Sequence, residues 1–146
     1  MKRNVEIRVI RNDEEYNAIL EVRTAVFIKE QGVPPIIEFD GLDKEAVHFL
    51  VKLDKKTIGC ARIRSIDGMM KVERVAILKK HRNKGLGKRL MRYLISYCNA
   101  RNAIEIVIHA QYYLKGFYRE LGFNLRGEPF FEAHIKHIEM FIKGKK

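Results

Sequence analysis

The sequence predicts an α+β fold in which a mostly antiparallel sheet packs against helices. Short segments with alternating apolar and polar residues indicate strands, and three of these follow one another through tight turns. A glycine-rich segment at residues 82–87 then leads from the last of the three strands into leucines at helical spacing. With 146 residues, the chain is expected to form one domain, residues 1–146, that buries a sizeable core.

The first half of the chain is predicted to form one strand, a helical region and three antiparallel strands. Residues 5–10 alternate, and Asp13 can cap the helix that follows. Pro34 and Pro35 then require a loop or the start of another helix. Asp-Gly at residues 67–68 is the strongest hairpin signal, because this dipeptide favours a two-residue type I′ turn. The three strands are expected at residues 46–53, 57–66 and 70–78.

The second half is predicted to alternate helices and strands. A helix starts at the glycine-rich segment, because Leu86, Leu90 and Leu94 share one helical face. The remaining elements are a strand at 104–109, a short helix at 112–121 and strands at 124–127 and 135–142. The predicted order is therefore β-α-(α)-β-β-β-α-β-α-β-β.

Residues 82–87, Arg-Asn-Lys-Gly-Leu-Gly, are the most informative segment of the chain. A glycine-rich turn that opens a helix leaves backbone N–H groups without intrahelical partners, and the helix dipole adds positive charge there. Residues 79–104 contain eight Lys or Arg and no Asp or Glu. The segment predicts an anion site, most often a phosphate site. The alternative is a solvated basic helix start whose glycines serve only the turn.

Two common phosphate-binding motifs do not fit this segment. A P-loop would need glycine in place of Arg82 and Ser or Thr in place of Arg89. The dinucleotide-binding fingerprint would need glycine in place of Leu90. The segment instead resembles the R/Q-x-x-G-x-G/A motif of the GCN5-related N-acetyltransferases (GNAT), whose backbone amides bind the pyrophosphate of acetyl-CoA.

Other segments resemble the same family. Residues 110–123, AQYYLKGFYRELGF, are similar to its A-x-x-(F)Y-x-x-x-G-F segment, and the predicted order of elements is the family's order. Residues 23–34 resemble the N-terminal signature of the bacterial ElaA/YjcF-type members, and residues 131–140 resemble their ending. The resemblance implies the GNAT acyl-CoA N-acyltransferase fold, a three-layer α/β sandwich with a mixed, mostly antiparallel sheet flanked by helices.

The resemblance also implies that acetyl-CoA is the co-substrate. A bulge or splay in the fourth strand is expected to open a slot in which backbone groups pair with the pantetheine amides and an N–H polarises the thioester carbonyl. The expected cofactor-binding residues are Val75, Ala76, Ile77, Arg82, Asn83, Lys84, Gly85, Leu86, Gly87 and Lys88.

Two residues are candidates for proton transfer. Tyr118 matches the family's tyrosine near the CoA sulfur and is the candidate general acid, although it could simply pack against the pantetheine. Glu73 is the candidate base, acting through a water. It is expected to share a strand face with Val75 and Ile77, and the alternative is a Glu that pairs with Lys71 or an arginine.

An acidic cluster, Glu38, Asp40 and Asp43, stands out in this basic chain. It could line an acceptor pocket for a cationic amine, and a solvated carboxylate-rich loop is the alternative. The expected acceptor-binding residues are Arg23, Phe27, Glu38 and His109. Arg23 could orient an acceptor carboxylate or pair with Glu30 or Asp13. His109 could contact acceptor or cofactor, or cap its strand.

Composition bounds the class of protein and its partners. A 47% hydrophobic content excludes a disordered chain, and no apolar stretch approaches the roughly 20 residues of a membrane span. No signal peptide is visible, and Cys60 and Cys98 stand alone, so we expect reduced thiols and a cytoplasmic location. No metal site is expected, because His134 and His137 fall on opposite strand faces and no third ligand accompanies them.

Three function classes follow. The first is an N-acetyltransferase that uses acetyl-CoA and a small-molecule or peptide amine. The second is a non-catalytic acyl-CoA-binding regulatory domain on the same fold. The third is a nucleic-acid-binding module, suggested by the net charge of +11. The third is weakened because the basic residues concentrate around one glycine turn without a recognition-helix pattern. The oligomeric state stays open, although family members commonly form dimer contacts through their late strands.

Overall fold

The computed structural model describes residues 3–145 and contains a seven-stranded sheet with four α-helices. The strands are β1 (Val5–Val9), β2 (Val47–Leu53), β3 (Lys56–Ile66), β4 (Met69–Ile77), β5 (Glu105–Gln111), β6 (Asn124–Glu132) and β7 (Ile135–Lys143). The α-helices are α1 (Asp13–Arg23), α2 (Pro35–Glu38), α3 (Leu86–Ala100) and α4 (Lys115–Glu120). The strand order is β1-β2-β3-β4-β5-β7-β6, and only the β4–β5 pair is parallel among these strands. The predicted mixed, mostly antiparallel sheet flanked by helices is therefore confirmed.

The sheet separates two apolar clusters. On one face, Leu90 and Leu94 of α3 are completely buried against Phe49 and Val72 of the sheet. On the other face, Ile19 of α1 packs into a smaller cluster with sheet residues of β2, β3 and β4. Burying a leucine side chain contributes about 1.5–3 kcal/mol, so the α3 face supplies most of the apolar stabilisation. The result is three layers with the sheet in the middle.

The first helical region differs in detail from the prediction. The amide oxygen of Asn12, rather than Asp13, caps α1 by accepting the N–H of Glu15 at 2.9 Å. The helix then continues through Thr24–Glu30 as a π-helical segment, which carries Phe27 toward the middle of the molecule. Strand β6 is also longer than the expected 124–127, because it pairs with β7 again beyond an irregularity after Arg126.

Both tight hairpins have positive φ at their two central residues, as was predicted for Asp67 and Gly68. Asp54 and Lys55 have φ of 49° and 72°, and Asp67 and Gly68 have φ of 51° and 82°. Positive φ at both central residues is the requirement of a type I′ turn, whose twist matches that of the flanking strands. These turns fix the antiparallel register of β2, β3 and β4.

A bulge in β4 changes which side chains share a face. In the β3–β4 ladder Arg62 pairs with Glu73 and Cys60 pairs with Ala76, so Arg74 and Val75 together oppose one residue of β3. The bulged Arg74 has a φ of 56°. The expectation that Glu73 shares a face with Val75 and Ile77 is therefore wrong. The extra residue reverses the alternation and leaves Glu73 on the α1 face, beside Arg62.

The parallel pair β4–β5 opens just before the bulge. Its register runs from Met69↔Glu105 to Val72↔Ile108 and ends there. The following residues of β4 keep their antiparallel partners in β3, so the edge that faces β5 is left unpaired. The two strands thus diverge and leave a gap in the sheet, as expected. Of the helices in residues 3–145, none has the length and apolar character needed to cross a membrane.

Candidate active site

A cleft of about 680 Å³ occupies the gap between β4 and β5. Its walls are the π-helical segment and α2, the end of β4, the start of α3, α4, the end of β5 and the β6–β7 hairpin. The predicted site residues line this cleft, with the exception of Arg23 and Lys84. The splayed strands therefore gather side chains from distant parts of the chain into one site.

The glycine turn forms a concave group of backbone amides at one end of the cleft. Asn83 and Gly85 adopt left-handed conformations with φ of 63° and 80°, and Gly85 caps the start of α3. A Cβ on Gly85 would meet no atom within 4 Å, so backbone conformation rather than crowding requires glycine there. The first turn of α3 holds no acidic residue. The amides, the helix dipole and the nearby basic side chains together favour an anion.

Arg82 lines the cleft, but its guanidinium is already engaged. Its Nε donates to the backbone oxygen of Ile77 at 2.8 Å, and its two terminal nitrogens donate to Glu30 at 2.6 and 2.8 Å. Glu30 ends the π-helical segment, so this ion pair connects that segment to the glycine turn. Glu30 was expected only as a possible partner of Arg23, and in the structure it pairs with Arg82 instead.

Tyr118 lies on α4 with its side chain buried in the wall of the cleft. Its ring contacts Phe117 and Phe123 edge-on, with centroids 5.0 and 6.0 Å away. Burial raises the pKa of the phenol well above its ordinary value. The hydroxyl stays protonated at neutral pH and is able to donate a proton or a hydrogen bond.

Glu73 also lines the cleft, but three cations surround its carboxylate. Arg64 Nε lies 2.7 Å away, Arg62 Nη2 2.9 Å and Lys71 Nζ 3.3 Å. Burial would raise the pKa of this carboxyl, yet the hydrogen bond from Arg64 and the charges of Arg62 and Lys71 lower it to about 2. Such a carboxylate is a weak proton acceptor.

The acidic cluster is paired with buried arginines. Arg23 donates to Glu38 at 2.7 Å and to Asp43 at 2.9 Å, and Arg62 donates to Asp40 and to Asp43 at 2.9 Å. Both arginine side chains are only 1% exposed. The alternative of a solvated loop is therefore wrong, because these carboxylates belong to an ion-pair network beneath the cleft. The pairing of Arg23 with Glu30 or Asp13 is wrong for the same reason.

This network also fixes helix α2 at the rim of the cleft. Arg23 and Arg74 each donate to the backbone oxygen of Glu38 at 3.0 Å. Outside these contacts α2 presents Ile36, which is 83% exposed, and Ile37, which lines the cleft. The charged network thus positions an apolar rim.

The β5 and β6–β7 side of the cleft is polar. His109 Nδ1 lies 3.2 Å from Glu132 and its Nε2 lies 3.2 Å from Glu139, so His109 does not cap its strand. His137 is buried in the same wall. Neither Glu132 nor His137 was predicted from the sequence to be a cleft residue. The strand register could have identified His137 as a cleft residue. It pairs Gln111 with His137 and so places His137 next to the splayed end of β5.

Within residues 3–145, no group of three His, Cys, Asp or Glu side chains has the arrangement needed to hold a metal ion. His134 lies in the turn between β6 and β7, where its φ is 66°, whereas His137 lies within β7.

The chain is similar in sequence and in structure to known proteins. The chain is 35% identical over 133 residues to the uncharacterized N-acetyltransferase YjcF of Bacillus subtilis, covering 90% of this chain and 95% of YjcF. It is 30% identical over 128 residues to ElaA of Escherichia coli, covering 84% of each protein. The crystal structure of ElaA superposes with a TM-score of 0.84 at 26% identity, covering 94% of this chain and 99% of ElaA.

A GNAT acetyltransferase from Elizabethkingia anophelis, whose crystal structure has acetyl-CoA bound, shares the fold with a TM-score of 0.72 at 19% identity. The match covers 96% of this chain and 98% of that one. A family model described as an acetyltransferase (GNAT) domain matches residues 11–143, which include every wall of the cleft. Sequence, fold and cleft agree, and the chain belongs to the GNAT acetyltransferase family, with YjcF and ElaA among its relatives.

Proposed function

We propose that this protein transfers an acetyl group from acetyl-CoA to a primary amine, by direct attack of the amine within a ternary complex. The observation that carries the proposal is the gap between β4 and β5. It joins an anion-binding turn at one end to a polar wall at the other, with Tyr118 beside it. Membership of the GNAT family and the relative with acetyl-CoA bound support the choice of donor.

The donor is proposed to lie along the unpaired edge of β4. Backbone groups of Val75, Ala76 and Ile77 pair with the amides of the pantetheine arm as a neighbouring strand would. The pyrophosphate binds the backbone amides of the glycine turn, with Asn83, Lys84, Gly85, Leu86 and Gly87 forming the cradle and Arg82 and Lys88 beside it. The edge of β4 beyond Val72 has no strand partner in β5, and on this edge the backbone oxygen of Ile77 already accepts a hydrogen bond from Arg82 Nε.

The acceptor is proposed to enter between Phe27 and Glu38 on one side and His109 on the other. Its neutral nitrogen attacks the thioester carbonyl, which an N–H of β4 polarises. Tyr118 then protonates the departing thiolate. A phenol has a reference pKa of about 10 and a thiol about 8.5, and burial raises the pKa of Tyr118 further, so its hydroxyl is protonated when the thiolate leaves.

The first test is calorimetric titration with acetyl-CoA. A Cβ on Gly87 would lie 3.7 Å from Phe117 Cζ, an ordinary contact, so Gly87→Ala should fold and bind normally. Gly87→Glu places a negative charge in the proposed pyrophosphate site and should abolish binding. Equal affinities for the two variants would contradict the cradle.

The second test is thiol release from acetyl-CoA in the presence of a panel of primary amines. Stimulated release by wild-type protein would support the transferase and begin to identify its acceptor. Tight binding without release to any amine, including small probe amines, would favour the alternative of a non-catalytic acyl-CoA-binding domain.

A further inference from the structure

His137 lines the cleft, and a hydrogen bond of its ring determines its neutral tautomer. Its Nδ1 lies 2.7 Å from the backbone oxygen of Ile135. A carbonyl oxygen only accepts hydrogen bonds, so Nδ1 carries the proton in the neutral ring. The lone pair is therefore on Nε2. Within residues 3–145, Nε2 has no hydrogen-bond partner, while the side chain lines the cleft.

The ring is also held in orientation by its neighbours. It stacks on Phe130, with centroids 5.9 Å apart and planes 20° from parallel, and its residue is only 8% exposed. Strand β7 fixes its backbone between β5 and β6. A base that is already oriented requires little reorganisation during the reaction.

The other candidate bases near the acceptor are less suited. Glu73 is bound by three cations that lower its pKa to about 2. His109 has both ring nitrogens within 3.2 Å of carboxylates, one on Glu132 and one on Glu139. The hydrogen bond from His109 keeps the pKa of Glu132 below its ordinary value. Among these groups, His137 has the unengaged lone pair.

We propose that His137 Nε2 is the general base that deprotonates the acceptor amine. This inference rests on the proposed function. Nε2 first takes the ammonium proton of a protonated acceptor and passes it to water. As the neutral nitrogen then forms the C–N bond, a further proton passes from this nitrogen to Nε2. The C–S bond then breaks, the thiolate takes a proton from Tyr118, and both side chains exchange protons with water to restore their starting forms. The net reaction converts amine and acetyl-CoA to amide and free thiol.

Polar groups from three strands surround His137. Glu132 approaches it from β6, and Lys71 of β4 lies on the same wall of the cleft. Gln111 of β5 pairs with it in the ladder, and His109 lies two residues before Gln111.

The first experiment measures the tautomer directly by 15N NMR of the full-length protein with labelled histidines, comparing wild type with His137→Gln to assign the signals. We expect a neutral ring with the proton on Nδ1. A ring with the proton on Nε2 would overturn the inference, because no lone pair would face the cleft. This result is independent of the acceptor and leaves the proposed function untouched.

The second experiment uses thiol release with two small probe acceptors, methylamine and hydroxylamine. Methylamine is protonated at neutral pH and hydroxylamine is mainly neutral. In His137→Gln we expect kcat/KM with methylamine to fall by about 10²–10⁴-fold, and we expect a smaller loss with hydroxylamine. Affinity for acetyl-CoA should stay at the wild-type value.

The matched control is His134→Gln, since His134 is an exposed residue of the β6–β7 turn and does not line the cleft. It should keep wild-type rates with both probes. Equal rates in wild type and His137→Gln would overturn the assignment of the base alone. A wild-type protein that binds acetyl-CoA but releases no thiol to either probe would overturn the proposed transfer reaction, and this inference with it.

Discussion

Glu30 and Arg82 form an ion pair with two hydrogen bonds across the mouth of the cleft, at 2.6 and 2.8 Å. The pair joins the end of the π-helical segment to the turn that is proposed to bind pyrophosphate. Both side chains are 33% exposed. An arriving phosphate would therefore compete with Glu30 for the guanidinium, and the carboxylate opposes the binding of an anion nearby.

Glu30→Gln should tighten binding of CoA. It removes a negative charge beside the phosphate site and releases Arg82, and we expect a roughly three- to tenfold lower Kd at low salt, with the gain reduced at high salt. The free energy of unfolding should fall by only about 0–1 kcal/mol, because the pair is partly exposed. Calorimetric titration at two salt concentrations measures the Kd and its salt dependence. Urea unfolding measures the change in the free energy of unfolding. Weaker binding would mean that Glu30 holds Arg82 in its binding position.

Tyr118→Phe should separate chemistry from binding. The phenol of Tyr118 has no hydrogen-bond partner in the described part of the chain, so removing its oxygen should hardly change the melting temperature. We expect kcat to fall by about 10²-fold while the Kd for CoA stays the same. Tyr93→Phe, on α3 and outside the cleft, is the control. An unchanged kcat would leave Tyr118 as a packing residue.

Glu73→Gln should destabilise the fold, because Arg62 and Arg64 would lose the carboxylate that balances their charges. We expect a loss of about 3 kcal/mol in urea unfolding at neutral pH. Glu120→Gln is the control, since the side chain of Glu120 is 69% exposed. A loss no larger than in this control would contradict the structural role.

The contribution of Glu73 should also depend on pH. Folding lowers the pKa of this carboxyl to about 2, below the reference value of about 4.3 for an unfolded chain. The unfolded state therefore binds more protons as the pH falls, and the stabilisation is lost between about pH 4 and pH 2. Urea midpoints measured across this range should drop less steeply in Glu73→Gln than in wild type.

His81→Leu should stabilise the protein. The residue is buried, and neither ring nitrogen has a hydrogen-bond partner among residues 3–145. Burial and the nearby charges of Lys80 and Lys84 lower its pKa. An apolar side chain of similar size removes the unsatisfied groups, and we expect a gain of about 1 kcal/mol.

The gain should grow as the solution becomes more acidic. Because the folded pKa of His81 is lowered, the unfolded state takes up its proton first, and stability falls once the pH drops below about 6.5. His81→Leu removes this contribution to the pH dependence of the free energy of unfolding. Burial also lowers the pKa of His48. The variant therefore keeps the part of the pH dependence of its stability that comes from His48. An identical pH dependence in wild type and His81→Leu would contradict the assignment.

Features determined by local sequence were predictable. Alternating side chains marked β1 to β4, and Asp67 with Gly68 fixed a hairpin turn whose backbone needs positive φ. Gly85 likewise marked the start of α3. These residues act through their own backbone preferences, so their effect can be read without knowledge of distant partners.

Features that depend on distant contacts were not predictable. The resemblance to the GNAT family implied a bulge or splay in β4, but no local pattern indicates that the extra residue is at Arg74, where it reverses the face of Glu73. The carboxylates of Asp40 and Asp43 look solvated in the sequence, because the buried Arg62 that binds them lies about 20 residues away. His137 required the register of the last strands. In each case the deciding partner comes from another strand of the sheet.

The attachment of α2 through main-chain oxygen atoms has an evolutionary consequence. Arg23 and Arg74 hold the carbonyl of Glu38, a group that every residue type supplies. Drift at the exposed Ile36 and Ile37 would therefore leave the attachment intact while reshaping the rim of the cleft. Descendants of this sequence are therefore expected to diversify at this rim, while the glycine turn and the core stay under unchanged constraints.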